Sequence, residues 1–149
     1  MIEKGATTIW ERWNSDTGDP SMNSFNHYCY GVVTDWMFGY LAGIRPAAPG
    51  FQQIIIEPYA DKRMDSAKAE YNSVYGPITS EWKHQGDKLV LHVAVPPNTT
   101  AKIALPTGDA AKVTEGGKAL AEAGLESATE DGRVVINTGA GRYAFEIKQ

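Results

Sequence analysis

The chain has 149 residues, enough for one compact domain with a moderate core and too few for two of full size. Hydrophobic residues make up 42% and charged ones 21%, which is a globular composition and excludes disordered and fibrous classes. A formal charge of -4, with 14 basic residues spread along the chain, leaves no footprint for nucleic acid and no basic cluster for a membrane surface. No apolar run is long enough to cross a bilayer. Met1-Ile2-Glu3-Lys4 has none of the marks of a secretory signal, so the sequence assigns no compartment. Cys29 is the single cysteine. It excludes an internal disulfide and a cysteine-rich zinc cluster, and it is expected to be a buried thiol.

Residues 8–13, Thr-Ile-Trp-Glu-Arg-Trp, set one carboxylate, Glu11, between the indoles of Trp10 and Trp13. That pattern suits contact with a sugar ring, and it equally suits a surface glutamate in a half-buried segment. Residues 14–23 are rich in Ser, Asp, Gly, Pro and Asn and read as a loop. Asp16 and Asp19 there are expected to serve turns. Calcium ligation through Asn14, Asp16 and Gly18 lacks the later acidic ligand of a complete loop.

Ser24 stands at an N-cap position, and the spacing of Tyr28, Val32, Val33, Trp36, Met37, Tyr40 and Leu41 predicts one amphipathic helix over residues 25–41. Gly31 and Gly39 each cost such a helix about 1 kcal/mol relative to alanine, which suggests close packing against a neighbouring helix. Trp36, Met37 and Phe38 read as core. Gly43 and Pro46 supply stop signals, and residues 43–50 read as a stiff connector.

Beyond Phe51 the texture changes to short alternating or β-branched segments parted by Gly, Pro, Asn and Asp, the pattern of an antiparallel β-sandwich. Strands are predicted over residues 53–57, 67–74, 76–84, 88–95, 100–105, 112–114, 133–137 and 143–148. The chain is therefore expected to be mainly β, with a short helical part at residues 1–46 and the sandwich at 47–149. The helical part cannot bury its own apolar stripe, so it needs a partner: it should dock on the sandwich or self-associate.

His27, at the start of the helix, is the histidine best placed to line a site, although a hydrogen bond to the nearby loop explains it as well. His84 and His92 read as surface or satisfied sheet residues. There is no Gly-rich phosphate loop, nucleophile elbow or HExxH motif, and no cofactor is implied.

Gly5-Ala-Thr-Thr-Ile-Trp-Glu-Arg-Trp13, Asn23-Ser-Phe-Asn-His-Tyr28 and the run from Gly31 to Pro46 together resemble bacterial α-L-rhamnosidases of glycoside hydrolase family 78. The likeness continues through Ile54-Ile-Ile-Glu-Pro58 and Ser73-Val-Tyr-Gly-Pro-Ile-Thr-Ser-Glu-Trp82. It implies the end of an (α/α)6 barrel followed by a C-terminal β-sandwich, and release of terminal α-L-rhamnose from glycosides with inversion. It places Glu11 as the general base and His27 in the sugar pocket. Trp10 and Trp13 then either face the sugar or pack the barrel wall. The family's general acid lies in barrel segments absent from this sequence, so a fragment inactive alone is expected, with those segments as its missing partner. Two other readings stay open. One is an accessory sandwich that binds carbohydrate through Tyr71, Tyr75, Trp82 or Tyr143, or that stabilises a neighbouring domain. The other is a different inverting hydrolase built on the same barrel.

Overall fold

The computed structural model describes residues 1–14 and 24–149. The chain divides into two compact units, Met1–Trp36 and Met37–Gln149.

In the first unit, a 3-10 turn at Ile2–Lys4 is closed by Gly5 in the left-handed region (φ 75°). A second 3-10 turn, Tyr28–Gly31, leads into the short helix α1 (Val32–Trp36). The single helix predicted over residues 25–41 is therefore broken into short pieces. It begins at Tyr28, and Ser24 caps nothing helical: its hydroxyl accepts the Asn26 N–H in a local turn. Gly31 and the β-branched run Val32-Val33-Thr34 weaken α-helical continuity, which accounts for the 3-10 start. A Cβ built at Gly31 meets no atom within 4 Å among the described residues. Cys29 is exposed rather than buried, and Tyr28, Val32, Val33 and Trp36 are exposed as well.

The second unit opens with a π-helical turn, Met37–Leu41, whose Ala42 N–H donates to the Met37 carbonyl over 3.0 Å. Met37 and Tyr40 are exposed, and of the predicted apolar stripe only Leu41 enters a core. Trp36 and Met37 are thus not core residues, and Phe38 is half-buried. Gly39 lies against the stem of Arg45.

The rest is a β-sandwich. One sheet has five strands in the order β1-β2-β6-β10-β9, built from β1 (Ile44–Pro46), β2 (Gln53–Ile56), β6 (Thr100–Leu105), β9 (Ser127–Glu130) and β10 (Arg133–Thr138). The other has six in the order β3-β4-β5-β11-β7-β8, built from β3 (Ser66–Ser73), β4 (Gly76–Gln85), β5 (Lys88–Val95), β7 (Val113–Glu115), β8 (Lys118–Ala119) and β11 (Gly141–Lys148). All pairings are antiparallel except β2 with β6.

Period-two alternation builds the core. Leu89, Leu91, Val93 and Val95 of β5 point inward against Phe145 and Ile147, and meet Ile54, Ile56, Ile103, Leu105, Val134 and Ile136 of the facing sheet. Asp131 and Gly132, both at positive φ, form the two-residue turn between β9 and β10.

Three strands were absent from the sequence reading. β1 lies inside the expected connector, at a sheet edge where Pro46 has no ladder bond to lose. β8 has only two residues, and β9 is exposed along its whole length, so neither shows a hydrophobic pattern.

Two inward side chains of β4 bind the end of the π-turn. Trp82 Nε1 donates to the Leu41 carbonyl over 2.8 Å, and Ser80 Oγ donates to the Ala42 carbonyl over 2.6 Å. They satisfy carbonyls that a helix end leaves without partners. Gly43 follows at φ 77°, its carbonyl accepting the Glu57 N–H over 2.9 Å. A Cβ there would stand 2.2 Å from the Glu57 carbonyl carbon, so no other residue fits without a shift of backbone.

Candidate active site

Two backbone segments of the first unit create the site. The Glu11 N–H donates to the Ser24 carbonyl over 2.9 Å, the His27 N–H donates to the Ile9 carbonyl over 2.7 Å, and the Thr8 hydroxyl donates to the Phe25 carbonyl. These bonds align residues 8–11 with residues 24–27. Trp10 is buried beneath them, its indole meeting Phe25 edge-on at 5.3 Å.

The same alignment sets Glu11 Oε2 at 3.7 Å from His27 Nδ1, with both side chains half-buried. That separation permits charge attraction but exceeds a direct hydrogen bond, so the carboxylate keeps acceptor capacity for a third group. Trp13 stands open to solvent at 79% exposure. A hollow of about 190 Å³ beside the carboxylate is lined by Ile9, Trp10, Glu11, Trp13 and Tyr30, among others. A larger hollow nearby is lined by Met1, Glu3, Ala6, Ile9 and Trp13, among others.

Glu11, His27, Trp10 and Trp13 are therefore gathered in one region of the first unit. Trp10 is buried there and also lines the hollow, and Trp13 is exposed. Sequence reasoning did not single out Tyr30, whose hydroxyl donates to the Glu11 carbonyl over 3.2 Å and whose ring lies 5.3 Å from the His27 ring. Its spacing of three from His27 was the available signal. The turn aspartates Asp16 and Asp19, and the calcium reading through Asp16 and Gly18, fall outside the described residues. Among the described residues, no three His, Cys, Asp or Glu side chains are grouped to hold a metal.

The titratable groups with displaced pKa values lie elsewhere, on the second unit. The Arg63 guanidinium and backbone N–H hold Asp61 down to about 2, while Glu146 raises Lys88 and Glu130 raises Lys102. Each is a surface ion pair remote in sequence from Glu11.

The sandwich aromatics form no flat platform. Trp82 is fully buried, Tyr71 packs on Phe51 at 4.5 Å, and Tyr143 stacks on Phe145 with its hydroxyl donating to the Gly139 carbonyl. Tyr75 is half-buried in its turn. His92 is exposed, whereas His84 is half-buried, with its ring against Trp82 and its Nε2 buried without a partner.

The bacterial alpha-L-rhamnosidase 6 hairpin glycosidase domain matches residues 1–41, and the bacterial alpha-L-rhamnosidase C-terminal domain matches residues 43–120. The chain belongs to the bacterial α-L-rhamnosidase family. An α-L-rhamnosidase of Streptomyces avermitilis is 38% identical over 98% of this chain, and one of Formosa agariphila is 45% identical over 71%. The chain spans 14% and 12% of the lengths of these two curated relatives. Among solved structures, the Streptomyces avermitilis α-L-rhamnosidase complexed with L-rhamnose aligns over 99% of this chain and 14% of its own, with a TM-score of 0.75. The α-L-rhamnosidase from Dictyoglumus thermophilum aligns over 100% of this chain and 17% of its own, at 34% identity and a TM-score of 0.78. The mainly β architecture read from the sequence is thus that of rhamnosidase C-terminal domains.

Proposed function

We propose that this chain is the C-terminal part of an inverting α-L-rhamnosidase and that Glu11 is its general base. The observation that carries the reading is the half-buried Glu11 carboxylate set 3.7 Å from His27 within the segment that matches the six-hairpin glycosidase domain. In an inverting hydrolysis one carboxylate takes a proton from water as the water oxygen attacks the anomeric carbon. A separate carboxylic acid, about 6.5–9.5 Å away, gives its proton to the departing glycosidic oxygen. Glu11 fills the first role. His27 holds a sugar hydroxyl beside it, and Trp13 offers its ring to the apolar face of the rhamnose, with Trp10 behind. The acid comes from barrel segments outside this chain, so the 149 residues alone do not turn over substrate.

The test uses p-nitrophenyl α-L-rhamnoside and a chimaera in which this chain replaces the stretch it matches in the Streptomyces avermitilis relative. The chimaera should hydrolyse the substrate and the isolated chain should not. Glu11→Gln in the chimaera should lower kcat by about 10²–10⁴-fold, and proton NMR should show the inverted anomer first. Turnover by the isolated chain overturns the fragment reading, and full activity of the Glu11→Gln chimaera overturns the base assignment.

A further inference from the structure

Tyr30 touches both halves of the Glu11–His27 pair, and it does so through two separate parts of one side chain. Its hydroxyl donates to the Glu11 carbonyl oxygen over 3.2 Å, across nineteen positions of sequence. Its ring lies 5.3 Å from the His27 ring at an interplanar angle of 46°. The second contact follows from local geometry. The segment Tyr28–Gly31 is a 3-10 turn, with the Tyr30 N–H directed at the His27 carbonyl. His27 is the N-cap of that turn, three residues before Tyr30, and this bond keeps the two backbones close.

The first contact matters because of what else holds Glu11. Its N–H is tied to the Ser24 carbonyl, and the Tyr30 hydroxyl takes its carbonyl, so both backbone polar groups of residue 11 are anchored to the segment that carries His27. Backbone bonds at both ends fix the point from which the Glu11 side chain reaches towards the imidazole. Tyr30 also lines the hollow beside the carboxylate.

We infer that Tyr30 is a positioning residue that sets Glu11 and the His27 imidazole relative to each other, through its hydroxyl on the Glu11 backbone carbonyl and its ring beside the imidazole. This rests on the reading of Glu11 as general base. Alignment of a base with its water acts on the chemical step, whereas the ring contact orients the histidine that holds the sugar.

In the chimaera described above, Tyr30→Phe removes the hydroxyl anchor and keeps the ring. It should lower kcat about tenfold while KM stays within about twofold. Tyr30→Ala removes both contacts and should lower kcat at least as far while raising KM several-fold. Melting temperatures of both variants are read alongside, because a merely structural role predicts a kcat loss that follows the melting temperature. The inference is overturned if Tyr30→Phe keeps the parental kcat, if its kcat loss follows a lowered melting temperature, or if Tyr30→Ala leaves KM unchanged. Glu11→Gln separates the two ideas. If that variant stays active the base reading fails, and if it is inactive while Tyr30→Phe matches the parent, only the role of Tyr30 fails.

Discussion

The indole nitrogen of Trp82 donates a 2.8 Å hydrogen bond to the carbonyl of Leu41, so the largest fully buried side chain of the sandwich also ends the π-helical turn. The indole fills the core, and its one polar atom meets an acceptor that would otherwise be buried unpaired.

Trp82→Phe should therefore destabilise the sandwich by more than its lost volume. The Leu41 carbonyl loses its donor and a cavity opens beside it, and together these should cost about 2–4 kcal/mol. Urea denaturation followed by circular dichroism measures the change, and a loss below about 1 kcal/mol would show that the bond contributes little.

Gly43→Ala should cost about 3 kcal/mol or more, because it adds left-handed strain to a clash with the backbone of Glu57. Gly86→Ala is the control. Gly86 also has a positive φ, of 64°, but a Cβ there meets nothing within 4 Å, so its cost should stay near 1 kcal/mol. Equal losses in the two variants would show that strain alone matters.

Much of the sandwich was legible because burial on one face leaves a period of two in the sequence. Leu89, Leu91, Val93 and Val95 declared both a strand and its inner face. β9 declared nothing, since Ser127, Ala128, Thr129 and Glu130 are all exposed. The parallel pairing of β2 with β6 joins segments more than forty residues apart, and no local pattern encodes it. At the candidate site the residue types of Glu11 and His27 were readable, but their approach was not. It depends on backbone bonds from residues 9 and 11 to residues 27 and 24. The helix misled because its apolar residues do recur at helical spacing, yet of them only Leu41 is buried in a core here.

Acid titration should find Asp61 unusual. Its carboxylate accepts from Arg63 Nη2 at 2.7 Å, Nε at 2.9 Å and the backbone N–H at 2.8 Å, which lowers its pKa from 3.8 to about 2. The folded value lies below the unfolded one. The pair's contribution to stability is therefore present above pH 4 or so and fades as pH falls towards 2. Carboxyl-carbon NMR should give a midpoint near 2, and Arg63→Ala should raise it only part of the way, since the backbone donor remains. A midpoint near 4 in the parent chain would refute the pairing.

Cys29 is exposed and should react with Ellman's reagent without denaturant. One equivalent released from the native chain within minutes is the expected result. Protection until urea is added would mean that the thiol is buried in solution.

His27→Ala in the chimaera should raise KM about tenfold with a smaller effect on kcat, if the imidazole holds a sugar hydroxyl in the ground state as well as in the transition state. A loss confined to kcat would instead assign the histidine to the chemical step.

The hydrogen bonds from Ser80 and Trp82 to the Ala42 and Leu41 carbonyls also bear on how such enzymes can be recombined. A crossover point placed after Pro46, where the composition suggests a joint, would separate the five-stranded sheet from its edge strand β1, and two core side chains of the six-stranded sheet from the peptide groups they bind. Breakpoints ahead of Met37 keep those pieces together, so hybrids cut there should express as soluble protein where hybrids cut ten residues later precipitate.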